Sequence, residues 1–256
     1  MPDPVIITRP RAQAGALAER LRAAGRAPVL LPLLDITPLD DDSALRAALA
    51  RLGDFALVAF VSPNAIDAAF AHLAGWPAGV TLAVLGEGSR AALRQHGIDE
   101  ATTHVVSPPD QARSDSETLL ASLDLGVYAG KQVLIVRGDS GRELMADAFR
   151  AAGADVTTVA AYRRSVPALT EALAAQLLCL LEQENDWIIT SSEALRGLVA
   201  LVQRAGGTSS VTKLQQQHLV IPHQRIAETA TALGFTRLTQ SGSGDERLLA
   251  ALQSRA

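Results

Sequence analysis

Val5-Ile6-Ile7-Thr8-Arg9 returns 128 positions later as Val133-Leu134-Ile135-Val136-Arg137, and Ala18-Glu19-Arg20-Leu21-Arg22-Ala23-Ala24-Gly25 returns without a gap as Ala146-Asp147-Ala148-Phe149-Arg150-Ala151-Ala152-Gly153. An offset of 129 pairs Ser62-Pro63-Asn64-Ala65-Ile66 with Ser191-Ser192-Glu193-Ala194-Leu195. The same offset pairs Ser114-Asp115-Ser116-Glu117-Thr118-Leu119-Leu120 with Ser243-Gly244-Asp245-Glu246-Arg247-Leu248-Leu249. A weaker fourth pair, around Leu85-Gly86-Glu87-Gly88-Ser89 and Pro222-His223-Gln224-Arg225-Ile226, falls in the same order. Four blocks in one order, spaced at half of a 256-residue chain, describe an ancient duplication.

Each half alternates short aliphatic runs with Ala/Leu/Glu/Arg stretches of helical period. The runs are Val5 to Thr8, Ala56 to Val61, Leu82 to Leu85 and His104 to Val106, then Val133 to Val136, Trp187 to Thr190 and His218 to Ile221. This pattern predicts an α/β fold of parallel sheets covered by helices on both faces. Ser62-Pro63, Ser114-Asp115-Ser116-Glu117 and Ser191-Ser192-Glu193 carry N-cap chemistry just past presumed strand ends. Two stretches break the rhythm, Leu31 to Leu39 and Val159 to Pro167, at equivalent places in the halves. Their prolines disfavour helix, so both read as extended crossings between domains. Asp40-Asp41-Asp42-Ser43 beside the first reads as an acidic helix start and linker rather than a metal site.

Composition narrows the function. With 48% hydrophobic and 20% charged residues the chain has ample core and needs no staple. Its one cysteine, Cys179, lies in Leu177-Leu178-Cys179-Leu180-Leu181, where a buried, inert thiol is expected ahead of a nucleophile. A net charge of −4 argues against general nucleic-acid binding. No apolar run approaches the length of a membrane span, and Met1-Pro2-Asp3-Pro4 carries no export signal, so a soluble, cytoplasmic protein is expected.

The common catalytic signatures are missing: GxGxxG, a Walker loop, HExxH, CxxC and GxSxG do not occur. Gly86-Glu87-Gly88-Ser89 reads as a tight βα turn ahead of a phosphate loop. The histidines His72, His96, His104, His218 and His223 are scattered, without helical pairs or a nearby carboxylate pattern, and nothing points to a metal or a cofactor. Only His223 falls at a presumed strand end, as a weak candidate for ligand contact. What does recur at strand ends is Ser, Thr, Gly and Asn beside helix starts, with Arg9, Arg137, Arg142 and Arg225 nearby. Helix amides and Arg forks suit carboxylates or phosphates. Taken singly, these serines are equally well helix caps and these arginines solubilising charges. Their symmetric placement in two halves favours a cleft that receives a polyanion.

The motifs resemble a known family. Val5-Ile6-Ile7-Thr8-Arg9-Pro10, Phe60-Val61-Ser62-Pro63-Asn64-Ala65, Val84-Leu85-Gly86-Glu87-Gly88-Ser89, Val136-Arg137-Gly138-Asp139 with Arg142-Glu143-Leu144, and Ala161-Tyr162-Arg163-Arg164 are similar to those of the uroporphyrinogen-III synthases. Thr190-Ser191-Ser192-Glu193-Ala194 and Ile221-Pro222-His223-Gln224-Arg225-Ile226-Ala227 complete the series, in order along essentially the whole chain. The resemblance implies two flavodoxin-like domains joined by a two-stranded connector. One would be discontinuous, residues 1–36 plus 168–256, and the other inserted, residues 40–161, with connectors near 33–39 and 160–167. It also implies a lyase of tetrapyrrole (heme) biosynthesis that cyclises hydroxymethylbilane with loss of water and inversion of ring D. The enzyme would be a cofactor-free monomer that takes its substrate from hydroxymethylbilane synthase. In the mechanism attributed to this family, loss of hydroxide leaves an azafulvene, ring D attacks through its substituted carbon, and the spiro intermediate fragments and recloses. The pyrroles supply nucleophile and electron push, so the protein folds the substrate, holds its carboxylates and assists departure of hydroxide.

Carried over to matching positions, the family's connector tyrosine falls on Tyr162, as proton donor to the leaving hydroxyl or as a group orienting it. An aromatic that merely packs between domains is the plainer alternative. Ser62, Asn64 and Ser89 would meet acetate and propionate groups from the middle domain, and Arg9, Ser191, Ser192, Gln224 and Arg225 from the other. Arg137 and Arg142 are expected carboxylate forks. Pro222-His223-Gln224 departs from the family pattern, where small or hydroxyl residues are frequent, so the contact made there stays open. A non-catalytic two-domain binder or sensor for a small polyanion would need the same lining. A nucleotide-sugar transferase would need a base-reading pattern that does not occur.

Overall fold

The computed structural model describes residues 4–108 and 115–253; Met1, Pro2, Asp3 and Ser114, used in the reading above, lie outside them. The strands in chain order are β1 (Pro4–Ile7), β2 (Ala27–Leu30), β3 (Asp35–Thr37), β4 (Leu57–Phe60), β5 (Thr81–Val84), β6 (Val105–Val106), β7 (Gln132–Gly138), β8 (Asp155–Ser165), β9 (Asp186–Ile188), β10 (His218–Ile221) and β11 (Leu238–Gln240). The helices are α1 (Arg11–Ala23), α2 (Ser43–Leu49), α3 (Pro63–Phe70), α4 (Glu87–Gln95), α5 (Ser116–Ala121), α6 (Leu144–Ala151), α7 (Glu171–Leu180), α8 (Ser192–Gln215), α9 (Gln224–Ala232) and α10 (Asp245–Gln253). They form two compact units, Met1–Asp35 with Ser165–Ala256, and Ile36–Arg164.

The first unit holds a sheet in the order β11-β10-β9-β1-β2, with parallel pairing throughout. Counted along the chain this is 2-1-3-4-5, the flavodoxin-like order. The second unit's sheet runs β3-β8-β7-β4-β5-β6, and β4 through β8 pair in parallel. The duplicated blocks explain the difference. β1 corresponds to β7 and β9 to β4, so the two sheets have the same spatial arrangement while the second is threaded in permuted order, 3-2-1-4-5. Each sheet therefore combines strands from both halves of the duplication.

Buried parallel strands need apolar residues on both faces, and here they sort by alternation. In the first unit Ile6, Trp187, Leu219 and Ile221 pack under α7, α8 and α9, while Val5, Ile7, Ile188 and Val220 pack under α1 and α10. In the second, Val58, Phe60, Leu82, Leu134 and Val136 face α2, α3 and α4; Leu57, Ala59, Ala83, Val133 and Ile135 face α5 and α6. The α/β fold of parallel sheets layered between helices follows the sequence reading.

Several local expectations need correction. β2 and β11 fall outside the aliphatic runs picked out above; β2 carries Pro28, tolerated because this edge strand pairs only with β1. Of Leu31 to Leu39 only Asp35–Thr37 is strand, and Leu31, Leu33 and Leu34 are buried in the first unit's core. Three of the five histidines do meet carboxylates, supplied from afar in sequence: Asp42 for His72, Asp67 for His96 and Asp186 for His218. Cys179 is exposed rather than buried. Helix α7 turns Leu177 and Leu180 into the core, and the helical period carries Cys179 to the outside. A colorimetric disulfide reagent is therefore expected to titrate one thiol per native chain; reaction only after unfolding would contradict this placement.

Candidate active site

The predicted site residues gather at the carboxyl ends of the parallel strands or at the helix starts that follow them, the usual ligand end of such sheets. In the second unit Ser62 caps α3: its Oγ accepts from the Ala65 N–H at 3.2 Å, and Pro63 takes the first helical position. The same Oγ lies 3.0 Å from the Tyr162 hydroxyl. Tyr162 is 5% exposed, so its phenol is held inside the fold against that serine.

A β-bulge puts it there. Along β7 and β8 the register runs Arg137 to Ala160 and then jumps, with Gly138 opposite Tyr162. Strict alternation would send Tyr162 to the face opposite Val159 and Ala161, yet all three belong to one core cluster. Asp139 pins the irregularity. Its N–H donates to the Tyr162 carbonyl at 2.9 Å, Oδ1 accepts from the Arg164 N–H at 3.3 Å, and Oδ2 lies 3.6 Å from Arg163 Nε. Gly138 leaves room for the ring; a Cβ there would stand 3.1 to 3.3 Å from the ring end and its hydroxyl.

Asn64 is half-buried in the first turn of α3. Ser89 is 4% exposed, turned into the fold at the start of α4 rather than outward. Three of the four expected arginine forks already hold acidic side chains of the protein. Arg137 binds Glu143 at 2.8 Å and donates to the Arg142 carbonyl at 3.0 Å. Arg142 grips both oxygens of Glu117, and this bond holds its guanidinium still more firmly protonated. Arg9 binds Asp245 at 2.6 Å. To receive a ligand carboxylate, each would exchange one partner for another.

The first unit offers readier donors. Ser191 caps α8 by accepting from the Ala194 N–H at 3.3 Å, which leaves its own proton to give. Ser192 Oγ lies 3.0 Å from Thr229 Oγ1, whose single proton can go to it or to the Arg225 carbonyl at 2.9 Å, tying the α8 start to α9. Gln224 and Arg225 open α9 on the surface, and Arg225 makes no ion pair among the described residues. His223 occupies the N-cap position of α9 without a side-chain cap bond.

Sequence reasoning missed Gly138 as a site residue and missed the acidic partners Glu117, Glu143 and Asp245. The first had a signal, since Gly138 follows the repeated strand-end arginine where the other copy has Pro10. No group of three or more potential metal ligands occurs among the described residues. No helix among them is long and apolar enough to cross a membrane. A cavity of about 480 Å³ along edge strand β6, bordered by Arg90, His104, Ser107, Asp124 and Val127, contains none of the predicted site residues.

Comparison with known proteins gives the family and the fold. A family model described as uroporphyrinogen-III synthase HemD matches residues 15–250. The uroporphyrinogen-III synthase of Escherichia coli (strain K12) is 30% identical over 97% of this chain and 99% of its own length. That of Synechococcus elongatus is 29% identical over 77% of this chain and 74% of its own. Two solved structures share the fold: uroporphyrinogen-III synthetase from Helicobacter pylori, with a TM-score of 0.64 at 13% identity and full coverage of both chains, and a mutant uroporphyrinogen III synthase from Thermus thermophilus, with 0.59 at 14% identity over 98% of this chain and 99% of that one.

Proposed function

Because the chain belongs to the uroporphyrinogen-III synthase family, lyases of tetrapyrrole biosynthesis, we propose that Tyr162 assists loss of the substrate hydroxyl while the strand-end arginines and hydroxyls hold the carboxylates of hydroxymethylbilane. The observation that carries the reading is the Tyr162 phenol lodged against Ser62 at the carboxyl ends of β4 and β8. A phenol at the departing hydroxyl donates its proton as the C–O bond breaks, so that water leaves rather than hydroxide. The azafulvene then forms by electron push from the pyrroles, and the last pyrrole carbon to regain aromaticity returns a proton.

Ring closure without inversion needs no enzyme, so the protein's task is to steer between two products. A few kcal/mol of differential transition-state binding is enough for that. Ser191, Ser192, Gln224 and Arg225 lie where helix-start amides and side-chain donors can converge on acetate and propionate groups. Asn64 and the Arg9, Arg137 and Arg142 forks would complete the hold once their internal partners exchange. The reading extends to two domains, residues 1–36 with 168–256 and residues 40–161, linked near 33–39 and 160–167, in a cytoplasmic monomer supplied by hydroxymethylbilane synthase.

Incubation with hydroxymethylbilane generated in place, followed by oxidation and separation of the porphyrins, tests this directly. Isomer III in protein-dependent excess is the expected product. Isomer I alone from folded protein would make the chain a binder of polyanions instead. Within that assay Arg225→Ala is expected to raise KM about fivefold and leave kcat within about twofold, as for loss of one exposed charge-assisted contact made equally in ground and transition states. An unchanged KM would take Arg225 out of the binding set.

A further inference from the structure

Resting on the reading of Tyr162 above, we propose that Ser62 and Gly138 are positioning residues that hold the Tyr162 phenol in its working orientation. Ser62 has a plain structural task, capping α3 through a lone pair on Oγ. That bond leaves a second lone pair and the hydroxyl proton, and among the described residues these face the Tyr162 hydroxyl at 3.0 Å. The pair can therefore change polarity without moving. At rest the phenol can donate to Ser62. Once the phenol has given its proton to the departing hydroxyl, forming water, Ser62 turns its own proton to the phenolate oxygen. The proton released when the pyrrole regains aromaticity then restores the phenol, and the sum is the loss of one water.

Gly138 acts on the same ring by taking up no space. The jump in register at Arg137/Gly138 sets Gly138 opposite Tyr162, and a Cβ would approach ring atoms Cζ and Cε2 at 3.1 and 3.2 Å and the hydroxyl oxygen at 3.3 Å. The ring sits over the glycine with its hydroxyl end toward Ser62. Adding a methyl group would push that end away from the serine, because the ring is buried and the strand beneath it is pinned by Asp139.

The test is a double-mutant cycle on kcat and KM, with substrate generated in place. Ser62→Gly removes the hydroxyl while keeping a residue that serves well at a helix start. Its kcat is expected to fall about tenfold with KM within about twofold, and Ser62→Thr, which keeps a hydroxyl, to recover most of the loss. In a Tyr162→Phe background Ser62→Gly should cost nothing further. A full additional loss in that background, or no loss in the parent, would overturn the positioning role while leaving Tyr162 in place. If Tyr162→Phe itself turns over like the parent, the reading of Tyr162 falls and this inference falls with it. Gly138→Ala gives an independent arm: a kcat deficit that disappears in the Phe background is expected, and an additive deficit counts against it. Should Gly138→Ala not fold, the Ser62 series decides.

Discussion

Tyr162→Phe is expected to lower turnover at least tenfold while the protein stays folded. The substitution removes one oxygen from a ring that otherwise keeps its place against Gly138, Val159 and Ala161. Ser62 retains its bond to the Ala65 N–H, so the start of α3 survives. The loss falls on the step in which hydroxide must leave without a donor, and tenfold corresponds to about 1.4 kcal/mol of barrier. Single-turnover rates on freshly formed hydroxymethylbilane, beside a melting curve of the variant, separate chemistry from folding. Parent-like rates would leave Tyr162 as a packing residue.

The second large effect concerns the far end of the first unit's sheet. Asp186 lies at the start of β9, with Arg26 bound to one oxygen and His218 Nδ1 2.6 Å from the other; His218 Nε2 reaches Thr239 Oγ1 at 2.9 Å. Burial by itself raises the Asp186 carboxyl, but the hydrogen bonds from His218 and Arg26 outweigh it and hold the group below its ordinary value. Asp186→Asn keeps the shape, removes the charge and leaves two buried cationic or polar partners facing a neutral amide. Because the pair is only mostly buried, the cost is about 2–3 kcal/mol, under the full figure for a broken interior ion pair. At this chain length that is about 5–10 °C in Tm.

The pH dependence has a definite sign. A carboxyl whose folded pKa lies below its unfolded value of about 3.9 stabilises the fold at neutral pH, and the contribution fades as pH falls through that region. The parent should therefore lose Tm more steeply below about pH 4 than Asp186→Asn does. Parallel curves would show that Asp186 is not a source of the acid sensitivity.

Much of this molecule was legible before its structure, and the parts that were not share a cause. The repeats located β1, β7 and the starts of α3 and α8, because strand burial and helix capping are written in neighbouring residues: Ser62 and Ser191 each cap the helix that follows by accepting from the amide three residues ahead. The acids that occupy Arg9 and Arg142 stand 236 and 25 positions away, and no local pattern pairs them. The side of α7 on which Cys179 lies depends on what packs against that helix, and a wholly apolar pentad conceals it. The bulge that seats Tyr162 arises from the pairing of two strands, so neither strand alone announces it. The resemblance to a family supplied Tyr162; composition and spacing supplied only the anion-friendly strand ends around it.

The permuted threading of the second sheet also sets a timetable for the chain as it is made. Residues 36–164 form an unbroken stretch and can close their sheet while the ribosome is still adding the rest. β1 has no such freedom. It sits at an inner position of its sheet, where Val5 pairs with Asp186 on one side; α1 can cover Val5 and Ile7, but Ile6, on the face that α7, α8 and α9 take, must wait until the last third emerges. Closing so long a loop adds little to the equilibrium cost, since that grows only with the logarithm of length. It does slow assembly, and it prolongs the time for which that face of the strand stands open to unwanted contacts.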